Sequence, residues 1–193
     1  MDNTRIEILD AKKTALVVID LQNFSVGMTP HAPYPAGTVV ENAVRLTRRF
    51  TEKGAFVVFV RVSFSEDGKD SFRPRTDAPP GKPNFPDGWD VLVPELQAFK
   101  NAHIVTKRQM GAFYGTDLDL QLRRRGIDTV VLCGISTIFG VDTTAREAFS
   151  HSYHGVYIED AMTCASKEHQ DFVCQNIFPA MGKVRRTDEI ALV

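Results

Sequence analysis

The feature that most constrains this fold is a series of short runs that are apolar almost throughout instead of alternating with polar residues. They are TALVVI at Thr14–Ile19, AFVVFVRV at 55–62, HIVT at 103–106, TVVLC at 129–133 and VYI at 156–158. A strand with one wet face shows a period of two. Continuous runs suit parallel strands covered by helices on both sides. A sixth strand is expected at 183–185, close to the chain's end.

Helical patterns separate these runs. Val39, Ala43, Leu46 and Phe50 fall at three- and four-residue spacing, with Gly54 as a stop. Thr116 followed by Asp119 reads as a capping box ahead of Leu118 and Leu122, with Gly126 just past the end. Val141, Ala145, Ala148 and Phe149 mark a third helix. Ser166 is placed to cap a fourth that carries Phe172, Val173 and Ile177, with Pro179 near its end. Strand and helix alternate, so the expected class is α/β with right-handed crossovers and a mostly parallel six-stranded sheet. At 193 residues the chain lies below the roughly 250 to 300 at which a single core divides, so one domain over 1–193 is expected. Residues 63–94 interrupt the rhythm with Pro74, Pro79, Pro80, Pro83, Pro86 and Pro94; such a segment is either a lid or binding loop, or a surface excursion or subunit contact.

Composition removes several functions. With 23 Lys plus Arg against 24 Asp plus Glu there is no basic field to collect phosphates, and no nucleic acid partner is expected. Residues 1–13 are charged and lack an apolar leader core, and no run approaches the roughly 18 residues that span a bilayer. The expectation is a cytoplasmic protein with no membrane partner. Cys133, Cys164 and Cys174 are too few and too irregularly spaced for a disulfide framework or a metal site, which leaves them a packing role.

In an open α/β sheet, ligands bind beyond the carboxyl ends of the strands, where strand order reverses. This rule selects Asp20, Arg61, Lys107 and residues 134–140. An Asp after a strand caps a turn or catalyses; an Asp and a Lys at neighbouring strand ends form either an acid/base pair or a structural salt bridge. Arg61 is divided between anion recognition and an ion pair at the surface or a subunit contact. The segment Gly134-Ile135-Ser136-Thr137-Ile138-Phe139-Gly140 passes from strand to helix without a GxGxxG or GxxxxGK[ST] pattern, so no nucleotide cofactor is expected. It offers backbone amides at Ile135, Ser136 and Thr137 for a carboxylate or oxyanion, or else an ordinary cap by Thr137. Phe24, Trp89, Phe113 and Tyr114 are candidate pocket aromatics, with Phe113 favoured because it follows closely on Lys107.

Taken together, TALVVIDLQN with Asp20, Lys107 followed by Gly111-Ala112-Phe113, GISTIFGVDTTAREA over 134–148, and Glu159-Asp160-Ala161 resemble the isochorismatase-like, or cysteine hydrolase, superfamily over nearly the whole chain. The resemblance implies a Rossmann-like three-layer α/β/α sandwich and a homodimer or larger homo-oligomer acting on a small molecule. It implies a catalytic Asp20 and Lys107, with Gly140 standing where most members carry the nucleophilic Cys. Cys133 lies seven positions earlier, inside a strand, and does not replace it, so a cysteine amidase is not expected. No histidine cluster follows Asp20 of the kind that metal-binding nicotinamidases resemble one another in having. Isochorismatases proper also have Gly there and use the Asp as an acid on a vinyl ether; their Gln and Tyr correspond here to Val62 and Ser136. The resemblance also implies a cis Ile135–Ser136 peptide. The expected activity is a nucleophile-free hydrolase acting on a small anionic, carbonyl or enol-ether metabolite, and the alternative is a non-catalytic small-molecule-binding protein on the same scaffold.

Overall fold

In a computed structural model that describes residues 6–77 and 85–193, the six anticipated runs form one parallel sheet. The chain begins with β1 (Glu7–Leu9) and β2 (Thr14–Ile19), then α1 (Asn23–Gly27), α2 (Ala36–Glu52), β3 (Phe56–Val62), α3 (Pro94–Gln97) and β4 (His103–Lys107). It continues through α4 (Leu118–Arg124), β5 (Thr129–Ile135), α5 (Asp142–Ser150), β6 (His154–Thr163), α6 (Lys167–Phe172), β7 (Gly182–Arg185) and β8 (Ile190–Leu192). The sheet order is β4-β3-β2-β5-β6-β7, with every pairing parallel. From β2 the chain winds outward one way, and from β5 it winds the other. Strand order therefore reverses between β2 and β5.

The unbroken apolarity of β2 has a direct structural cause, because successive side chains point to opposite faces. Leu16 and Val18 pack with Val39, Ala43, Leu46 and Phe50 of α2. Ala15, Val17 and Ile19 pack with Leu118 and Leu122 of α4 and Ala145 and Ala148 of α5. Two cores, one on each face, give the three-layer α/β/α sandwich. Each fully buried Leu or Phe here contributes about 1.5–3 kcal/mol relative to exposure.

Several expectations change in detail. The Thr116/Asp119 capping box does not form: Asp117 occupies the cap position of α4, the Thr116 hydroxyl accepts from Leu118 N at 3.2 Å, and Asp119 instead accepts from Tyr153 and Arg123. Phe149 and Phe172 are exposed, since their helices bury smaller or polar residues on the inner face. The fourth helix is α6 followed by a π-helical turn, Val173–Ile177, and the Ser166 hydroxyl caps it as anticipated. The fifth run is the longest strand, β6, whose pairing with β5 slips so that Leu132 faces Tyr157 but Gly134 faces Met162. β1 and β8 form a separate two-stranded parallel sheet that no apolar run announced. The three cysteines are free and buried. Among the described residues, no helix is long and apolar enough to cross a membrane.

Candidate active site

Asp20 directly follows β2, at the reversal of strand order. Its φ of 50° is left-handed, a region Asp tolerates better than most residues at a cost of order 1 kcal/mol. Two bonds hold it there: its N–H donates to the Val60 carbonyl at 2.9 Å, and its carbonyl accepts from the Ser25 hydroxyl. Lys107, the last residue of β4, reaches across the end of β3 and places Nζ 2.8 Å from Asp20 Oδ2. The same Nζ donates to the Met110 carbonyl at 2.6 Å. Both side chains are buried, and Asp20 Oδ1 has no hydrogen-bond partner.

Burial pushes the Asp20 carboxyl up to about 6, against the opposing pull of the Lys107 ammonium. A carboxyl with one oxygen fixed by an ammonium, the other buried without a partner and a midpoint near neutrality has the makings of an acid/base group.

The turn after β5 closes on this pair. Gly134, with φ of 122°, lets the two backbones meet, since a Cβ there would lie 2.0 Å from the Ile19 carbonyl oxygen. The Ile135–Ser136 peptide is cis. Residues Thr137–Val141 form a π-helical turn whose Phe139 and Val141 N–H groups donate to the Ser136 carbonyl. Gly140 lies inside this turn and not at a free helix end. A Cβ built on it would sit 3.1 Å from Asp20 Oδ2, 3.5 Å from Lys107 Nζ and 3.0 Å from Ile19 Cγ2. Position 140 thus faces the acid/base pair and adds no side chain to it.

The other candidates divide. Ser136 is half-buried at the start of the turn. Thr137 is fully buried, and its hydroxyl donates to Gln170 Oε1, so its side chain packs the turn against α6 and does not cap a helix. The Phe113 ring stacks on His151 at 5.1 Å and lies against Tyr153 at 5.8 Å, within the core that α4 and α5 share with the sheet. Tyr114 is exposed. Arg61 is a partner to Asp90 at 3.7 Å and to Thr106 Oγ1 at 3.2 Å, an ion pair within the chain. Phe24 and Trp89 do come together, edge to face at 6.1 Å, joined by Phe85 stacked on Trp89 at 3.9 Å and by Phe64.

Gln22 escaped the sequence reading. Completely buried, its side-chain amide donates to the carbonyls of Val62 and Trp89 and accepts from Val62 N, while Asn23 and Phe24 N–H groups donate to Val91 and Trp89. It clips the returning limb of the proline-rich segment beside Asp20. The available signal was a long amide two residues beyond a strand-end Asp. Among the described residues, no three His, Cys, Asp or Glu side chains are grouped to hold a metal. A cavity of about 790 Å³ lies at the opposite end of the sheet, against Lys13, Thr14, Asp128 and His154, away from Asp20.

Residues 14–189 match the model of the isochorismatase domain. The chain is 49% identical over 183 residues to the isochorismatase family protein YwoC of Bacillus subtilis, covering 94% of each. The structure of an isochorismatase family protein from Burkholderia thailandensis superposes with a TM-score of 0.91 at 41% identity, covering 96% of each chain. N-carbamoylsarcosine amidase from Thermoplasma acidophilum superposes with a TM-score of 0.71 at 27% identity, covering 91% of this chain and 97% of that one. With its parallel sheet, its Asp20–Lys107 pair at the strand ends and these matches, the chain belongs to the isochorismatase family of hydrolases.

Proposed function

We propose that this hydrolase works without a cysteine nucleophile, with Asp20 moving a proton at its bare Oδ1, Lys107 holding Oδ2, and Gly140 standing where a nucleophile would otherwise project. The observation that carries the reading is position 140, whose absent Cβ would fall 3.1 Å from Asp20 Oδ2 and 3.5 Å from Lys107 Nζ. The native thiols support it from the other side. Burial pushes Cys133 far up and Cys174 up to about 12, so neither supplies a thiolate at neutral pH, and Cys164 is raised as well.

In this reading a small anionic, carbonyl or enol-ether metabolite binds over the turn at Ile135, Ser136 and Gly140, with Phe24 and Trp89 as an aromatic wall. Asp20, protonated, donates to the substrate atom that gains a bond to hydrogen; ionised, it takes the proton of the attacking water. The substrate and water supply all the other bonds. The family resemblance alone extends the proposal to a cytoplasmic homodimer or larger homo-oligomer without a cofactor.

The test incubates wild type and Asp20→Asn with a panel of cyclic enol ethers, small amides and carbamoyl compounds, following consumption by mass spectrometry. Wild type is expected to consume at least one class, and Asp20→Asn to lose that turnover by at least about a hundredfold. An Asp20→Asn protein that keeps full activity overturns the role of Asp20. A panel that binds and raises the melting temperature but is never consumed favours the non-catalytic binding protein.

A further inference from the structure

α5 starts immediately after the Gly140 turn, and its third residue, Thr144, is fully buried. Its hydroxyl donates to the Gly140 carbonyl at 2.6 Å and accepts from the Ala112 N–H at 3.2 Å. A Thr hydroxyl bonded to the carbonyl four residues back is common inside helices. The bond from Ala112, 32 residues away in the chain, is not part of that habit.

Ala112 belongs to the loop that follows Lys107. The same face of α5 holds this loop a second time, through Glu147, whose Oε2 accepts from Phe113 N at 2.9 Å. Gly111 makes the close approach possible, since a Cβ there would lie 2.1 Å from Glu147 Oε2. At the near end of the loop the Met110 carbonyl receives Lys107 Nζ at 2.6 Å, and that Nζ lies 2.8 Å from Asp20. Gly140 and Lys107 come from different crossovers of the sheet, yet one side chain touches the turn of the first and the loop of the second.

We propose that Thr144 is a positioning residue: its single buried hydroxyl locks the Gly140 turn and the 110–113 loop to one helix, so that the Met110 carbonyl keeps the Lys107 ammonium set against Asp20. Glu147 is the second anchor of the same loop. The proposal rests on the acid/base reading of Asp20 for its catalytic meaning, but its test needs no substrate; a chain that turns nothing over while the network behaves as described would fail only the former.

Thr144→Val removes the hydroxyl and keeps the shape, and Thr144→Ser restores the hydroxyl. In the full chain, hydrogen exchange at the Ala112 amide and the NMR titration of the Asp20 carboxyl are compared, with a thermal melt to establish folding. Thr144→Val is expected to exchange Ala112 at least about tenfold faster, because the amide loses its buried acceptor. The Asp20 midpoint is expected to move upward, because a less fixed ammonium supports its charge less well. Thr144→Ser stays close to wild type on both. Should Thr144→Val not fold, Glu147→Ala, at a half-buried position, loosens the same loop. It too must raise the Asp20 midpoint, against the direction that loss of a negative charge alone would give. An unchanged Asp20 midpoint in a folded Thr144→Val or Glu147→Ala protein overturns the proposal whether or not Ala112 exchanges faster, as does a Thr144→Ser protein indistinguishable from Thr144→Val.

Discussion

Two carboxylates stand against cations, Glu7 of β1 beside the edge strand β7 and Asp20 at the strand ends, and the two are built in opposite ways. Near the start of the chain, Glu7 has both oxygens bonded, Oε1 to Lys183 at 2.6 Å and Oε2 to Arg185 at 2.9 Å. Burial works to raise its midpoint, but the two cations outweigh it and the carboxyl is held below its ordinary range. At the carboxyl ends of the strands, Asp20 has one cation, one bare oxygen and deeper burial, and its carboxyl is pushed up to about 6. A satisfied carboxylate ties β1 to β7. A half-satisfied one is costly to the fold, since its buried oxygen has no partner.

Removing a cation from each carboxylate should break the comparison most sharply. Lys107→Met leaves a buried carboxylate without its counter-charge, a loss of about 3–5 kcal/mol when the group must stay ionised. At pH 5 Asp20 can take up a proton instead, so the loss measured by urea unfolding should be smaller there than at pH 8. Lys183→Met, at a side chain 57% exposed, should cost no more than about 1 kcal/mol at either pH. Equal losses at the two carboxylates would remove the distinction.

The pH dependence of stability sharpens the contrast next. Asp20 rises from its ordinary 3.8 to about 6 on folding, so the folded state binds its proton more tightly. Its contribution is therefore greatest below about pH 4 and declines as pH rises toward 6, by at most about 1.4 kcal/mol per pH unit. Glu7, lowered from 4.5, contributes above that value and loses the contribution as pH falls through its folded midpoint. Asp20→Asn should abolish the decline between pH 4 and 6, and Glu7→Gln should flatten the acid limb below 4.5. Urea midpoints across pH 3 to 8 check both signs.

The legible part of the molecule was the part dictated by local pattern. The apolar runs gave the strands of the main sheet because a strand buried on both faces must be apolar throughout, and the pairing of Asp20 with Lys107 could be anticipated because it follows from their places at the strand ends. What stayed hidden depends on pairings that no spacing encodes. Thr137 read as a ligand contact because its buried partner, Gln170, lies 33 residues away. Phe113 read as a pocket wall because nearness to Lys107 in sequence says nothing of which way a ring turns, and here it turns into the core. β1 and β8 are three residues each, with Ile8 exposed, too short for any period to show. Arg61 leaned toward an ion pair, but its partner, Asp90 from the far limb of the proline-rich segment, is one that no local pattern names.

Gln22 supplies the smallest expected effect and the most local one. Its amide is the only side chain that bonds both the end of β3 and the Trp89 carbonyl among the described residues, so it links the strand next to Asp20 with the aromatic wall. Gln22→Ala deletes three hydrogen bonds, but the backbone bonds of Asn23 and Phe24 to Val91 and Trp89 remain, so the net loss of stability should be about 1 kcal/mol. Trp89 is the one tryptophan of the chain, which makes its emission a direct report on this limb. In wild type the ring stacks on Phe85 and lies beside Phe64, and in Gln22→Ala it should emit further to the red as the stack loosens toward water. The Asp20 titration should move little, because Lys107 and its Met110 anchor approach from the other side, through β4. A wild-type emission maximum in Gln22→Ala would mean that the aromatic stack holds the limb by itself and that the buried amide serves only the end of β3.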